Sequence, residues 1–143
     1  VEEFLRFDSS NQLGNRISTQ PARVADVDLP AGSRVTLCIG AANRDPDQFR
    51  DPDRLDIGRT PNRHLAFGFG IHTCAGLNLA RLEGRVAIGR FLARFPDYAL
   101  DGAPTRGGRA RFRGFLALPA AVGSLGGGPC AANSPAGMPM PKT

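Results

Sequence analysis

No stretch of this 143-residue chain approaches the ~18 consecutive apolar residues that a helical membrane span needs, so a soluble protein is expected. Cysteine is scarce as well. Cys38, Cys74 and Cys130 are odd in number, widely spaced and without a C-x-x-C pair, which points away from a disulfide framework or a zinc ribbon. A reducing, cytoplasmic setting fits that usage. No initiator methionine, charged leader or apolar h-region precedes the opening "VEEFLRFD", which already reads as mid-helix; the expectation is a truncated start. Internal repeats are lacking too. Acidic residues are outnumbered, 13 against 18 Lys and Arg, for a formal net charge of +5 and a pI near 10.1. That balance admits nucleic acid, an acidic protein partner, or a chain without its acidic half.

What is present looks globular: 41% of residues are hydrophobic, enough for one core of ordinary size. Val1, Phe4 and Leu5 alternate with Glu2, Glu3 and Arg6 in a helical pattern that the turn formers of "DSSNQLGN" stop. The segments "ARVADVDL" and "RVTLCIG" alternate as strands do. "PAGS" between them, with Pro30 and Gly32 at positions i+1 and i+3 of a type I turn, predicts that the two pair as a hairpin. Residues 43–62, "NRDPDQFRDPDRLDIGRTPN", are dense in Asp-Pro steps that resist continuous helix or ladder. They predict an irregular meander anchored by Phe49, Leu55 and Ile57, and a loop of that length usually serves a purpose.

Residues 76–95 give the strongest periodic signal. Leu77, Ala80, Gly84, Ala87, Ile88, Phe91 and Phe95 form one apolar stripe at helical spacing, and Leu79, Leu82 and Val86 form a second. A helix apolar on two sides belongs inside a larger helical body. "RARFRGFLALP" then alternates like a returning strand, and residues 122–143 are a Gly-, Pro- and Ser-rich tail expected to be disordered. The fold class this predicts is mainly α with small β-sheets, an α+β arrangement.

The chemistry centres on "HLAFGFGIHTCAGLNLARLE". Gly68, Gly70 and Gly76 allow backbone conformations closed to other residues and let the chain approach a flat ligand closely. Cys74 lies at the start of the long helix, where unpaired N–H groups and the positive dipole end favour a thiolate, either as nucleophile or as metal ligand. As a nucleophile it could use His72, since residues two apart in an extended stretch share a side, but no third orienting group is evident. One cysteine without a second Cys or a His at helical spacing makes a poor zinc site. It suffices as an axial ligand of haem iron, whose porphyrin supplies four donors.

"FGFGIHTCAG" resembles the cysteine-ligand signature of the cytochrome P-450 haem-thiolate monooxygenases, with Phe67, Gly68, Gly70, His72, Cys74 and Gly76 in register. Other segments agree in order: "EFLR" resembles the family's Glu-x-x-Arg pair as Glu3 and Arg6, "NRIST" supplies Arg16, "AANRDP" follows, and "DPDRLD" supplies Arg54. The longer phrase is similar to the soluble bacterial class. The resemblance implies that residues 1–121 are the C-terminal third of that fold, incomplete as a domain, and unable alone to turn over substrate.

By the same resemblance, Cys74 is the iron ligand of haem b (iron protoporphyrin IX), Phe67 packs beside the sulfur, and Gly68 and Gly76 belong with Phe67 to the cofactor-binding residues. His72 and Arg16 bind the haem propionates, and Glu3, Arg6 and Arg54 form a buried ion network. Asn11, Gln12, Leu13, Arg111 and Phe112 line the substrate pocket, Asn11 making that wall more polar. The reaction implied is hydroxylation of a small organic substrate with dioxygen, the thiolate favouring O–O cleavage at iron. Electrons come from an acidic, ferredoxin-type carrier docking near Arg81 and Arg85.

Two other readings compete. One is a non-catalytic, truncated remnant that keeps the ligand loop. The other takes "RGGRARFRGF" as a basic RNA-binding segment, but it holds a single RGG step before alternating into "FLALP". The expected partners therefore include neither nucleic acid nor membrane. Cys38, inside a strand, is expected to be a buried small hydrophobe, and Cys130 incidental.

Overall fold

The computed structural model describes residues 1–123. Helix α1, Glu2–Phe7, carries Glu2 and Glu3 in its first turn and Arg6 in its last, the arrangement that suits the helix dipole. Six residues are too few to hold a helix in water, so its stability comes from what packs on it. Four strands follow: β1 (Leu13–Ile17), β2 (Ala22–Val24), β3 (Val27–Leu29) and β4 (Arg34–Cys38). Helix α2, Ile39–Ala42, is one turn long. After the loop of residues 43–76 come the 18-residue helix α3, Leu77–Arg94, and strands β5 (Ala99–Leu100), β6 (Thr105–Arg106), β7 (Phe115–Ala117) and β8 (Ala120–Ala121).

The strands pair differently from the expected hairpin. β4 runs antiparallel to β1, from Leu13↔Cys38 to Ile17↔Arg34, and β2 folds back on β3. "ARVADVDL" thus contains its own turn, with Ala25 at φ +50, so its two halves satisfy each other and leave "RVTLC" to pair with "LGNRI". The turn at "PAGS" is also different. Ser33 donates to the Pro30 carbonyl (3.2 Å), which puts Pro30 at position i and Gly32, at φ +83, at i+2, where a type II turn requires a positive φ. "RARFRGFLALP" is a strand only from Phe115, because Gly108 at φ +64 turns the chain first; β7 then pairs with β6, and β8 with β5.

The expected mixture of helix and small sheets is present: the described residues combine three α-helices, one of them long, with four two-stranded sheets, and Asp-Pro steps keep residues 43–62 out of regular structure. That meander is ordered nonetheless. Phe49 N–H donates to the Asp45 carbonyl (2.8 Å), and Phe49 is the single buried hydrophobic side chain among the described residues, 3% exposed. Its companions do not join it: Leu55 and Ile57 are exposed, as is Cys38, the last residue of β4.

The interior under α1 is therefore polar, built from Glu3, Arg6, Ser9 and Asn43. Helix α3 shows the two-stripe pattern in part. Leu77, Ala80, Gly84, Ile88 and Phe95 are half-buried, whereas Leu79, Leu82 and Val86 face solvent. Residues 122 and 123 are exposed, and the rest of the expected tail, with Cys130, lies outside the described residues.

Candidate functional site

The loop that leads to Cys74 is closed by backbone bonds ahead of the thiol. Cys74 N–H donates to the Phe67 carbonyl (2.8 Å), and Gly68 N–H donates to Leu65 (2.9 Å). Between them, Gly70–His72 form a 3-10 turn that Thr73 closes on Gly70 through both its N–H (3.1 Å) and its hydroxyl (2.8 Å). Two glycines make this path available. Gly68 adopts φ +74, and a Cβ there would stand 2.9 Å from the His72 carbonyl oxygen; Gly70 adopts φ +64 in open space. Gly76 is different from the expectation, since its φ is −87 and any residue can adopt it. It caps α3, and a Cβ there would meet Cys74 Sγ at 3.9 Å.

Cys74 is exposed, one turn ahead of α3, with its carbonyl accepting from Leu77 N–H (3.3 Å). Phe69 and Ile71, ahead of it on the same loop, are 82% and 97% exposed. An exposed single thiol on a loop that bares two apolar side chains fits a flat macrocycle that brings its own equatorial donors to iron. It fits a protein-ligated ion poorly, for the described residues hold no cluster of three His, Cys, Asp or Glu able to grip one. His72 ends the 3-10 turn instead of lying in an extended stretch, and no hydrogen bond joins it to Cys74 among the described residues. The base-and-nucleophile pairing thus has no geometric support.

Below the loop lies the polar knot. Arg6 Nε and Nη2 donate to the two Glu3 carboxylate oxygens (both 2.8 Å), and the remaining N–H groups reach the carbonyls of Asn43 (2.8 Å), Pro52 (2.8 Å) and Arg54 (3.2 Å). Glu3 also accepts from Asp56 N–H (2.9 Å), Arg59 Nε (3.2 Å) and Asn62 Nδ2 (3.0 Å). Burial pushes the Glu3 carboxyl up, but Arg6, the Asp56 amide and Arg59 outweigh it and hold it down at about 2. The third charged side chain of the network is Arg59. Arg54, expected in that role, is exposed and contributes only its carbonyl.

Asn43 ties the knot to the loop. Fully buried, it donates from Nδ2 to Ser9 Oγ (2.7 Å) and accepts Leu65 N–H at Oδ1 (2.7 Å). A second connection runs through Glu2, whose carboxylate accepts from Arg81 Nε (2.9 Å) and Nη2 (2.9 Å) and meets His64 Nε2 at 3.0 Å. Residue pattern alone assigns no role to Asn43, Arg59, Asn62, His64 or Glu2. "AANRDP" stands out as a phrase, but only the fold places its Asn against residues 34 positions earlier and 22 later.

The residues expected to line a substrate pocket are brought together in part. Asn11 and Phe112 form an antiparallel bridge, Gln12 N–H donates to the Arg111 carbonyl (2.8 Å), and Arg113 N–H donates to Ser10 (2.8 Å). Segments a hundred residues apart thus lie side by side, next to Leu13 at the start of β1. Asn11 Oδ1 is buried without a hydrogen-bond partner. Arg16, half-buried on β1, donates to its neighbour's Asn15 carbonyl, and no hydrogen bond links it to His72 among the described residues.

Comparison with known proteins places this geometry. A family model described as cytochrome P450 matches residues 1–98. Cytochrome P450 107B1 of Saccharopolyspora erythraea is 48% identical over 105 residues, which are 73% of this chain and 26% of that protein. Vitamin D(3) 25-hydroxylase of Pseudonocardia autotrophica is 52% identical over 101 residues, 70% of this chain and 25% of the relative. The crystal structure of P450BioI with a hexadec-9Z-enoic acid ligated acyl carrier protein superposes with a TM-score of 0.82 at 40% identity, covering 85% of this chain and 32% of that one. The chain spans about a quarter of the length of the curated relatives it matches.

Proposed function

The chain belongs to the cytochrome P450 family, whose members use haem b, and from that premise we propose that it forms the haem-binding, C-terminal portion of a monooxygenase, with Cys74 as the iron ligand. The observation that carries this reading is the exposed Cys74 thiol, held on a glycine-bent loop that also bares the side chains of Phe69 and Ile71. Haem, when bound, supplies the iron at which dioxygen is activated for hydroxylation of a small organic substrate.

Each remaining task falls to residues of this chain. The bond from Cys74 N–H to Phe67 sets the direction of the thiol, and Gly68 admits the tight turn behind it. Phe69 and Ile71 offer apolar contact to a porphyrin face and exclude water there. His72 and Arg16 are assigned to the propionates, as charged or hydrogen-bonding groups on separate elements. Asn11, Gln12, Leu13, Arg111 and Phe112 are assigned to the substrate side, where the Asn11–Phe112 bridge brings their two segments together.

Electrons are assigned to an acidic carrier of the ferredoxin type. Arg85 on α3 is the better docking group, because Arg81 is already engaged by Glu2. Residues 1–121 act as this portion, and 122–143 as a tail outside it. Among the described residues no helix is long and apolar enough to cross a membrane.

The test is the spectrum of the reduced carbon monoxide complex of the haem-loaded protein. Native Cys74 should give the red-shifted Soret band of thiolate ligation, and Cys74→Ser should abolish it. A band that survives the substitution removes Cys74 as the ligand.

A further inference from the structure

Glu2 sits beside the buried Glu3 yet faces the other way, and its partners come from both ends of the ligand loop. Arg81, on α3 just beyond the loop, reaches it with Nε and Nη2; His64, just ahead of the loop, reaches it with Nε2. The His64 ring is 2% exposed, and its Nδ1 accepts the Ala66 N–H (3.2 Å). A nitrogen that accepts carries no proton, so the proton is on Nε2 and is donated to Glu2.

The Arg81 guanidinium, anchored by Glu2, lies 5.2 Å from the centroid of the Phe67 ring. The Phe67 carbonyl in turn accepts the Cys74 N–H. One carboxylate thereby fixes the entry to the loop through His64, the exit through Arg81, and the backbone bond of the cysteine through Phe67. The pairing also lowers the Glu2 carboxyl below its ordinary range, the Arg81 hydrogen bond being the main cause against some burial.

We propose that Glu2 is a positioning residue for the Cys74 thiolate, acting through Arg81 and His64 on the two ends of the ligand loop. The proposal rests on Cys74 being the iron ligand. Half-exposed at 41%, Glu2 would pass for one partner of a surface salt bridge of little energetic weight. Its geometric role is larger, because outer partners that orient a metal ligand affect the site far more than they affect stability.

The experiment compares native protein with Glu2→Ala, Glu2→Gln and Arg81→Gln, each haem-loaded, by the ratio of thiolate-type to non-thiolate-type bands in the reduced carbon monoxide complex. Glu2→Ala should lower that ratio about tenfold, the scale on which outer-shell partners act. Glu2→Gln, which keeps an acceptor oxygen for Arg81, should lose less. A native ratio in Glu2→Ala, with only a lower melting temperature, overturns the proposal and leaves the ligand assignment standing. If Glu2→Ala takes up no haem, Arg81→Gln decides, and a native ratio there overturns it equally. A thiolate-type band that persists in Cys74→Ser overturns both this proposal and the assignment beneath it.

Discussion

Arg6 and Glu3 lie one helical turn apart on α1 and meet through two parallel hydrogen bonds of 2.8 Å, their side chains 0% and 4% exposed. The planar guanidinium faces the carboxylate along one edge and spends its other N–H groups on three carbonyls of residues 43, 52 and 54. A charge pair this deep is tolerable only because every hydrogen-bonding group on it is used. It joins α1 to the meander, and the meander leads into the ligand loop.

Removing one side of that pair should be severe. Arg6→Ala leaves three carbonyls and a buried carboxylate short of donors, at a cost of about 3–5 kcal/mol. Arg6→Lys should recover little, since an ammonium cannot span the carboxylate and the carbonyls together. Denaturant midpoints of the haem-loaded protein check both, and a lysine variant as stable as the native protein contradicts the bidentate account.

Acid should unfold the protein through Glu3. Its carboxyl is held at about 2 in the fold against an ordinary value of 4.5, so the stabilisation is complete above the unfolded value and drains away as pH falls toward 2. The amount is about 3 kcal/mol, since each tenfold drop in proton affinity contributes roughly 1.4 kcal/mol. Urea midpoints followed from about pH 6 to about pH 2.5 should fall steeply for the native chain and less steeply for Glu3→Gln.

Asn43→Ala should strip the Leu65 amide of its acceptor and Ser9 of its donor, both in a buried setting. The expected loss is about 1–3 kcal/mol for each group left unsatisfied. Faster amide exchange at Leu65 is the specific sign; protection equal to that of the native protein would show that Oδ1 is dispensable.

Two glycines of one loop should answer alanine differently. At Gly68 the Cβ meets the His72 carbonyl oxygen as well as an unfavourable φ, so Gly68→Ala should displace the loop and reduce the thiolate-type band. At Gly70 only the positive φ opposes it, a cost of about 1 kcal/mol. Equal spectra for the two variants would contradict the steric difference.

If an acidic carrier docks on α3, Arg85→Glu should slow reduction by that carrier, and the deficit should shrink as salt rises. Stopped-flow reduction at two ionic strengths reads this. A salt-independent rate in both proteins points to another docking face.

Much of this site is legible from residue order. The Cys74 loop shows its glycines, its histidine and its abrupt helix start within ten residues, because a bent backbone ending in a helix needs those residue types locally. The i,i+3 spacing of Glu3 and Arg6 permits a salt bridge, and it is the resemblance to the Glu-x-x-Arg pair that implies its burial. Arg59 and Arg54 cannot be told apart that way. Both sit in an Asp-rich loop, and only the course of that loop turns one guanidinium inward and leaves the other in solvent. The β-pairing departs from expectation for a similar reason: "RVTLC" can alternate against either neighbour, and the turn inside "ARVADVDL" decides which one is free.

Local chemistry is thus written in sequence wherever the partners are close along the chain. The glycine turn, the thiol, the α1 pair and the long helix all depend on contacts within a few residues, so residue types and spacing are enough to name them. Asn43 with Ser9 and Leu65, Glu2 with His64 and Arg81, and Asn11 with Phe112 join segments 22 to 101 positions apart. Each pairing is chosen by how distant segments close on one another, and for Asn43 and Ser9 burial makes that choice costly to change. Folding therefore settled which polar side chains hold the Cys74 loop in place.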